Sequence, residues 1–200
     1  AGFLRVSPGF NYSGVYYSRD QAGDEHQIGG VWSARVGVNT AVFGTFRTGV
    51  GPLRAIRHVV TPAVSFVYQP ANSNLLYTDA NGVARSRFDG VSGISLGGGE
   101  SKFLSYSLRQ DLHVKWGDPT NPSVVNNLIS VDMAGSYNLL AARSGAKPLS
   151  DLRTSLRLKP IQRSDFDFGF VHNLYDGRLL QFSASTGILL LVAGHETTVN

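Results

Sequence analysis

GTFRTGVGPLRAIRHVVTPAVSFVYQP, residues 44–70, sets the reading of the whole chain. Its first residues close one strand-like segment, and Gly49 and Gly51 mark a turn. A second strand then enters through Arg57 and His58. In that strand Val60, Val64, Phe66 and Tyr68 point one way, and Thr61, Ala63, Ser65 and Gln69 point the other. Alternation of this kind is the signature of a sheet with two unlike faces. Pro62 interrupts it. Proline has no backbone N–H, so a sheet tolerates it only where a ladder bond can be missing, at an edge or at a bulge.

The same period runs outward in both directions. Upstream, Leu4, Val6, Pro8, Phe10, Tyr12 and Tyr16 alternate with Arg5, Ser7, Gly9, Asn11 and Ser13, and residues 18–27 read as a loop. Trp32, Ala34, Val36, Val38 and Val42 then alternate with Ser33, Arg35, Gly37, Asn39 and Ala41. Downstream, Leu104, Tyr106, Leu108, Leu112, Val114 and Trp116 oppose Ser105, Ser107, Arg109, Asp111, His113 and Lys115. Ile129, Val131, Met133 and Tyr137 oppose Ser130, Asp132, Ala134, Ser136 and Asn138. Three more segments follow, centred on Leu152–Leu158, Phe166–Phe170 and Leu180–Val192, the first alternating with Arg153, Ser155, Arg157 and Lys159 on the polar side. The pattern predicts about eight long strands and no helix, well beyond the mean of about 5–6 residues for a soluble strand. Residues 71–99 break it, rich in Asn, Ser, Asp and Gly, and read as a long loop with a short hairpin at Asn81-Gly82.

Composition agrees. Charged residues are only 16% of the chain, with 23 glycines, eight Tyr, eleven Phe and two Trp. The longest apolar run, Ile188 to Ala193, is far short of the about 18 residues a membrane helix needs. Apolar residues spread over every second position of long strands fit a membrane β-barrel, whose apolar face meets lipid and whose polar face lines a wet lumen. Tyr16, Tyr17, Phe43, Phe46, Tyr68, Trp116, Tyr137 and Tyr175, near the strand ends, are candidates for an interfacial girdle. There is no cysteine, which excludes disulfides and thiolate metal sites. A net charge of +4 from scattered basic residues argues against nucleic-acid binding.

At Arg57, His58, Pro62, Phe66, Tyr68 and Pro70 the sequence resembles the outer-membrane lipopolysaccharide-assembly barrel, also known as the organic-solvent-tolerance protein, in its Bacteroidetes-like branch. Residues 42–46 look like the family's strand end before this motif, and residues 128–139 and 152–156 look like later hairpins. The similarity extends over residues 1–192, its specific part being 44–70. The resemblance implies a very large barrel in the outer membrane of a Gram-negative bacterium, plugged by a partner lipoprotein. It implies that lipopolysaccharide arrives from periplasmic bridge proteins and leaves sideways into the outer leaflet, without enzymatic chemistry or a cofactor. The expectation for residues 1–200 is therefore one all-β, antiparallel transmembrane β-barrel segment, part of a larger barrel.

Candidate residues divide by chemistry. Arg57 and His58 fit either a head-group phosphate or a lumen carboxylate, since a guanidinium offers a bidentate fork. Arg35, Arg109, Lys115, Arg153, Arg157 and Lys159 lie on the polar side and are expected to screen an anionic head group in transit. Pro62 and Pro8 either weaken strand pairing, which in this family helps lateral opening, or mark bulges. Ser105, Ser107, Asp111 and His113 invite a Ser-His-Asp reading, yet residues i and i+2 of a strand are about 6.5 Å apart, and a polar lumen accounts for them without catalysis. His26, His172 and His195 lack metal-ligand spacing. Gly97-Gly98-Gly99 opens a strand rather than a helix and reads as a hinge, not a phosphate cradle. Two other functions keep their place: a different barrel, such as a porin or small-molecule transporter, and a soluble glycan-binding β-sandwich.

Overall fold

A computed structural model describes residues 3–88, 99–118, 120–161, 164–192 and 195–199, with residue 161 and those from 188 on described as backbone only. The Gly97-Gly98 part of the glycine hinge lies outside the described residues. The chain forms β1 (Arg5–Arg19), β2 (Glu25–Asn39), β3 (Val42–Arg47), β4 (Leu53–Gln69), a small hairpin β5 (Leu76–Thr78) and β6 (Ala84–Ser86), then β7 (Ser101–Gly117), β8 (Pro122–Asn138), β9 (Leu152–Ile161), β10 (Ser164–His172), β11 (Leu179–Val192) and β12 (His195–Val199). The only helical pieces among the described residues are two short 3-10 turns, Ser73–Leu75 and Ala141–Ser144. All pairings are antiparallel, and neighbours in the main sheet follow the order β1-β2-β4-β7-β8-β9-β10-β11-β12, with β3 beside β4. The expected hairpin at Asn81-Gly82 is β5–β6, its turn carried by Gly82 at φ +77°.

Register makes the two faces continuous across strands. Val36, Phe66, Leu104 and Tyr137 form one transverse row of the apolar face; Leu112, Ile129, Leu158 and Phe166 form another. On the other face, Ser7, Gly37, Ser65, Ser105 and Ser136 line up. Among the described residues, nothing packs on the apolar face. Phe10 is 71% exposed, Phe46 67% and Phe182 55%, an arrangement water does not tolerate over a whole sheet but lipid does. Open rows of backbone donors and acceptors remain along the outer side of β1.

The strand ends are unequal. At one end β1 leads to β2 through residues 20–24, β4 ends at Gln69 and β7 starts only at Ser101, β8 ends at Asn138 and β9 starts at Leu152, and residues 173–178 join β10 to β11. At the other end the connections are short: 48–52 between β3 and β4, 118–121 between β7 and β8, and two residues each between β9 and β10 and between β11 and β12. Outer-membrane barrels have long loops outside and short turns in the periplasm, so the first end is the outer one.

Pro62 occupies a gap rather than a bulge. Asn39↔Ala63 and Val42↔Val60 keep one register, so β2 and β3 are a single line interrupted at Thr40 and Ala41, opposite Pro62. The Thr40 N–H donates to the Pro62 carbonyl at 3.3 Å, and proline has no N–H to return. Both backbone positions of Pro62 face that side, so the β4–β7 ladder passes through Pro62↔Leu108 undisturbed. The same alternation turns the backbone of Pro8, paired in register with Val36, away from β2. Pro8 therefore subtracts a donor from the open edge of the sheet, and the bulge alternative holds for neither proline.

Candidate functional site

The polar face is built by the odd-numbered residues of β1 to β4 and β7. It holds every basic residue expected there, in two different states. In the middle of β7–β10 the cations are matched. Arg109 Nε donates to Asp111 at 2.9 Å, with Asp132 4.0 Å away, and the Ser130 hydroxyl donates to Asp111 at 2.7 Å. Arg157 Nε donates to Asp167 at 2.6 Å, and Lys159 stands 3.8 Å from Asp165. Arg109 and Asp111 share one face two residues apart on β7, with Asp132 opposite Arg109, whereas register sets Asp167 opposite Arg157. These half-exposed pairs contribute little to stability. Their consequence is electrical, because the charge of Arg109 and Arg157 is already balanced.

Arg35, Lys115 and Arg153 have no ion pair among the described residues. Arg35 lies across Gly9, where a Cβ would come within 2.8 Å of its Nε. Arg153 edges a shallow groove with Ser7, Gly37, Ser65, Ser105 and Ser136. Arg57 lies over Phe43, its guanidinium carbon 4.5 Å from the ring centroid.

Two expectations change. Arg57 and His58 do not act together, because neighbouring residues of a strand face opposite ways. Arg57 is on the polar face, whereas His58 is on the apolar face, its Nε2 3.2 Å from Gln110 Oε1. Phe43 and Tyr17 are not girdle residues: Phe43 lies under Arg57, and Tyr17 is buried on the polar face. Tyr16, Phe46, Tyr68, Trp116 and Tyr137 do lie on the apolar face. In the set of Ser105, Ser107, Asp111 and His113, Asp111 is held by Arg109 and Ser130. His113 Nδ1 accepts the Asn127 N–H at 3.3 Å at a bulge in β8, where Asn127 has φ +52°.

Sequence reasoning missed a clasp at the outer end. The loop after β4 folds back onto the polar face of the β1–β2 tip. Phe88 and Leu75, each 1% exposed, pack with Tyr17 against Val15 and Val31. The Tyr17 hydroxyl donates to the Phe88 carbonyl at 2.8 Å, and Asn72 Nδ2 donates to the Gly30 carbonyl at 3.0 Å. Gly29 makes the space, for a Cβ there would meet the Phe88 ring at 2.5 Å. Arg87 Nη1 closes the contact, 2.8 Å from the enclosed Asp20 and 2.5 Å from Asp24. Burial alone would raise the Asp20 pKa, but the Arg87 bond and the Asp24 and Ala22 amides outweigh it, leaving the carboxyl below its ordinary value. At the same end Lys102 and Arg143 both hold Glu100, whose pKa they also lower.

A large antiparallel sheet with one bare apolar face, one charged face and loops sorted by length to opposite ends defines a transmembrane β-barrel wall. Residues 1–175 match the model of the family described as LptD protein, and the chain belongs to that family. Its members are outer-membrane proteins of Gram-negative bacteria concerned with lipopolysaccharide transport. No curated protein and no solved structure matches the chain.

Proposed function

We propose that this chain is one wall of a larger outer-membrane barrel that inserts lipopolysaccharide into the outer leaflet. The observation that carries the reading is the combination of family membership with a polar face bearing cations that no carboxylate neutralises among the described residues. The protein is a passive conduit in this account. The apolar face holds it in lipid, and Arg35, Arg153 and Lys115 screen phosphates, whereas Arg109 and Arg157 are already balanced by carboxylates. An open sheet edge in a bilayer is costly, since backbone groups there find no water. The outer side of β1 is therefore completed by further strands, and a plug lipoprotein and periplasmic bridge proteins serve the same route.

The seam opposite Pro62 and the donor missing at Pro8 each subtract a ladder bond, which suits them to lateral opening. Lipopolysaccharide at the surface of the native host, assayed while the protein is depleted and fractionated, tests the function. Loss of surface lipid, with the protein in the outer membrane, is expected. Unchanged surface lipid would leave a porin or small-molecule transporter as the reading, and a water-soluble protein would point to the β-sandwich.

A further inference from the structure

At the periplasmic end of the polar face lies a second set of cations, and their arrangement differs from that of the mid-wall network. Register places Arg47 of β3, Ala55 of β4 and Lys115 of β7 in one transverse row, and Thr45, Arg57 and His113 in the next. Directly opposed residues have Cβ atoms about 4.5–5.5 Å apart, so these side chains share one small patch. Arg47, Arg57 and Lys115 are exposed and have no ion pair among the described residues. The acidic residues nearest along the chain are engaged elsewhere: Asp111 by Arg109 and Ser130, and Asp118 by the Thr120 backbone amide.

Geometry prepares the patch for a compact oxyanion. The Phe43 ring, 4.5 Å from the guanidinium carbon, holds Arg57 over the polar face by a cation–π contact that uses none of its N–H donors. His113 stands in the same row, its ring anchored through Nδ1, which lies 3.3 Å from both the Asn127 amide and Asn126 Oδ1. Thr45 adds a hydroxyl between Arg47 and Phe43 on the same strand face. Forked donors beside a point charge match a phosphate monoester better than a carboxylate.

We propose that Arg47, Arg57 and Lys115, with His113, form a phosphate-binding station for the anionic glycolipid on the periplasmic side of the wall, ahead of the mid-wall ion pairs. The proposal rests on the transport reading for its ligand, whereas the phosphate site stands or falls by binding alone. The test uses the intact protein in detergent micelles, with diphosphoryl lipid A, fully dephosphorylated lipid A and inorganic phosphate as probes. Folding of each variant is checked by heat-modifiable migration on gels. The wild-type protein is expected to bind the diphosphoryl probe about tenfold or more tighter than the dephosphorylated one, and Arg47→Gln, Arg57→Gln and Lys115→Gln together are expected to abolish that preference. Arg85→Gln, at the outer end, should leave it intact.

Inorganic phosphate competing at millimolar levels would mark the source as phosphate in general; its failure to compete, with the preference kept, would mark the lipid head group. Equal binding of both lipids by wild type, or a folded triple variant with undiminished preference, overturns the site. A photo-crosslinker at Thr45 in living cells gives a second readout: capture of glycolipid supports the proposal, and capture of an acidic protein alone overturns it. Surface lipid unchanged on depletion would defeat the transport reading while leaving phosphate discrimination to be scored separately.

Discussion

The apolar face of β4 and β7 and the clasp at the β1–β2 tip treat the same kinds of side chain in opposite ways. On the strands, Val64 and Leu104 stand 45% and 37% exposed with no protein packed over them. At the tip, Phe88 and Leu75 are enclosed, fastened by hydrogen bonds and an arginine bridging two aspartates. The difference is the solvent. Where lipid surrounds the sheet, covering the apolar residues gains nothing; above the bilayer, water drives them into a small core of ordinary design. Burial taken alone would call the first region misfolded. Only the alternation, the loop asymmetry and the matched registers show that its surroundings are acyl chains.

The comparison can be broken from either side. The largest effect is expected from Leu108→Arg, which places a charge on the apolar face opposite Pro62 and should cost about 2–4 kcal/mol near the bilayer midplane. The folded, heat-modifiable species should be lost from the outer membrane, while Ser107→Arg, one residue away on the polar face, should leave it. Next, Phe88→Ala should release the loop at a cost of about 3 kcal/mol to the clasp, read as trypsin cleavage after Arg85 or Arg87 with the barrel still folded. Gly29→Ala should produce a weaker form of the same phenotype, about 1–3 kcal/mol, because the Phe88 ring must shift.

Acid should loosen the clasp too. The Asp20 pKa is lowered by folding, so its contribution is fully present above the ordinary value of 3.8 and is lost as pH falls below it through the lowered value. Hydrogen exchange in residues 72–88 should accelerate in that range, and that of β7 should not. The smallest structural effect belongs to Arg153→Gln, which has no described ion pair to break. Unchanged folding with reduced lipopolysaccharide display is the expected result, and unchanged display would remove Arg153 from the route.

Much of this was legible in the sequence because a period of two is both the signal and the structure. The eight long strands, the two faces and the polar-side position of Arg35, Arg109, Lys115, Arg153, Arg157 and Lys159 follow from alternation alone. His58 was legible by the same rule, since it is in phase with Val60. Reading it together with Arg57 gave weight to residue type over parity, as did counting Tyr17 with Tyr16 and Phe43 with Phe46. Cross-strand pairing of charges was not legible, because Arg157 and Asp167 meet only once the β9–β10 register is set. The clasp was further out of reach: Asp20 and Arg87 lie 67 residues apart, and loop segments carry no period from which their contact could be read.

One measurement goes directly to the central claim that lipid covers the apolar face. The chain has no cysteine, so nitroxide labels can be placed singly at residues 103–113 of β7 in the protein reconstituted in bilayers. The account predicts a two-residue rhythm. Labels at Leu104, Tyr106, Leu108, Gln110 and Leu112 should collide with dissolved oxygen, and labels at Ser105, Ser107, Arg109, Asp111 and His113 with a water-soluble nickel chelate. A flat profile, or the same rhythm in opposite phase, would contradict it.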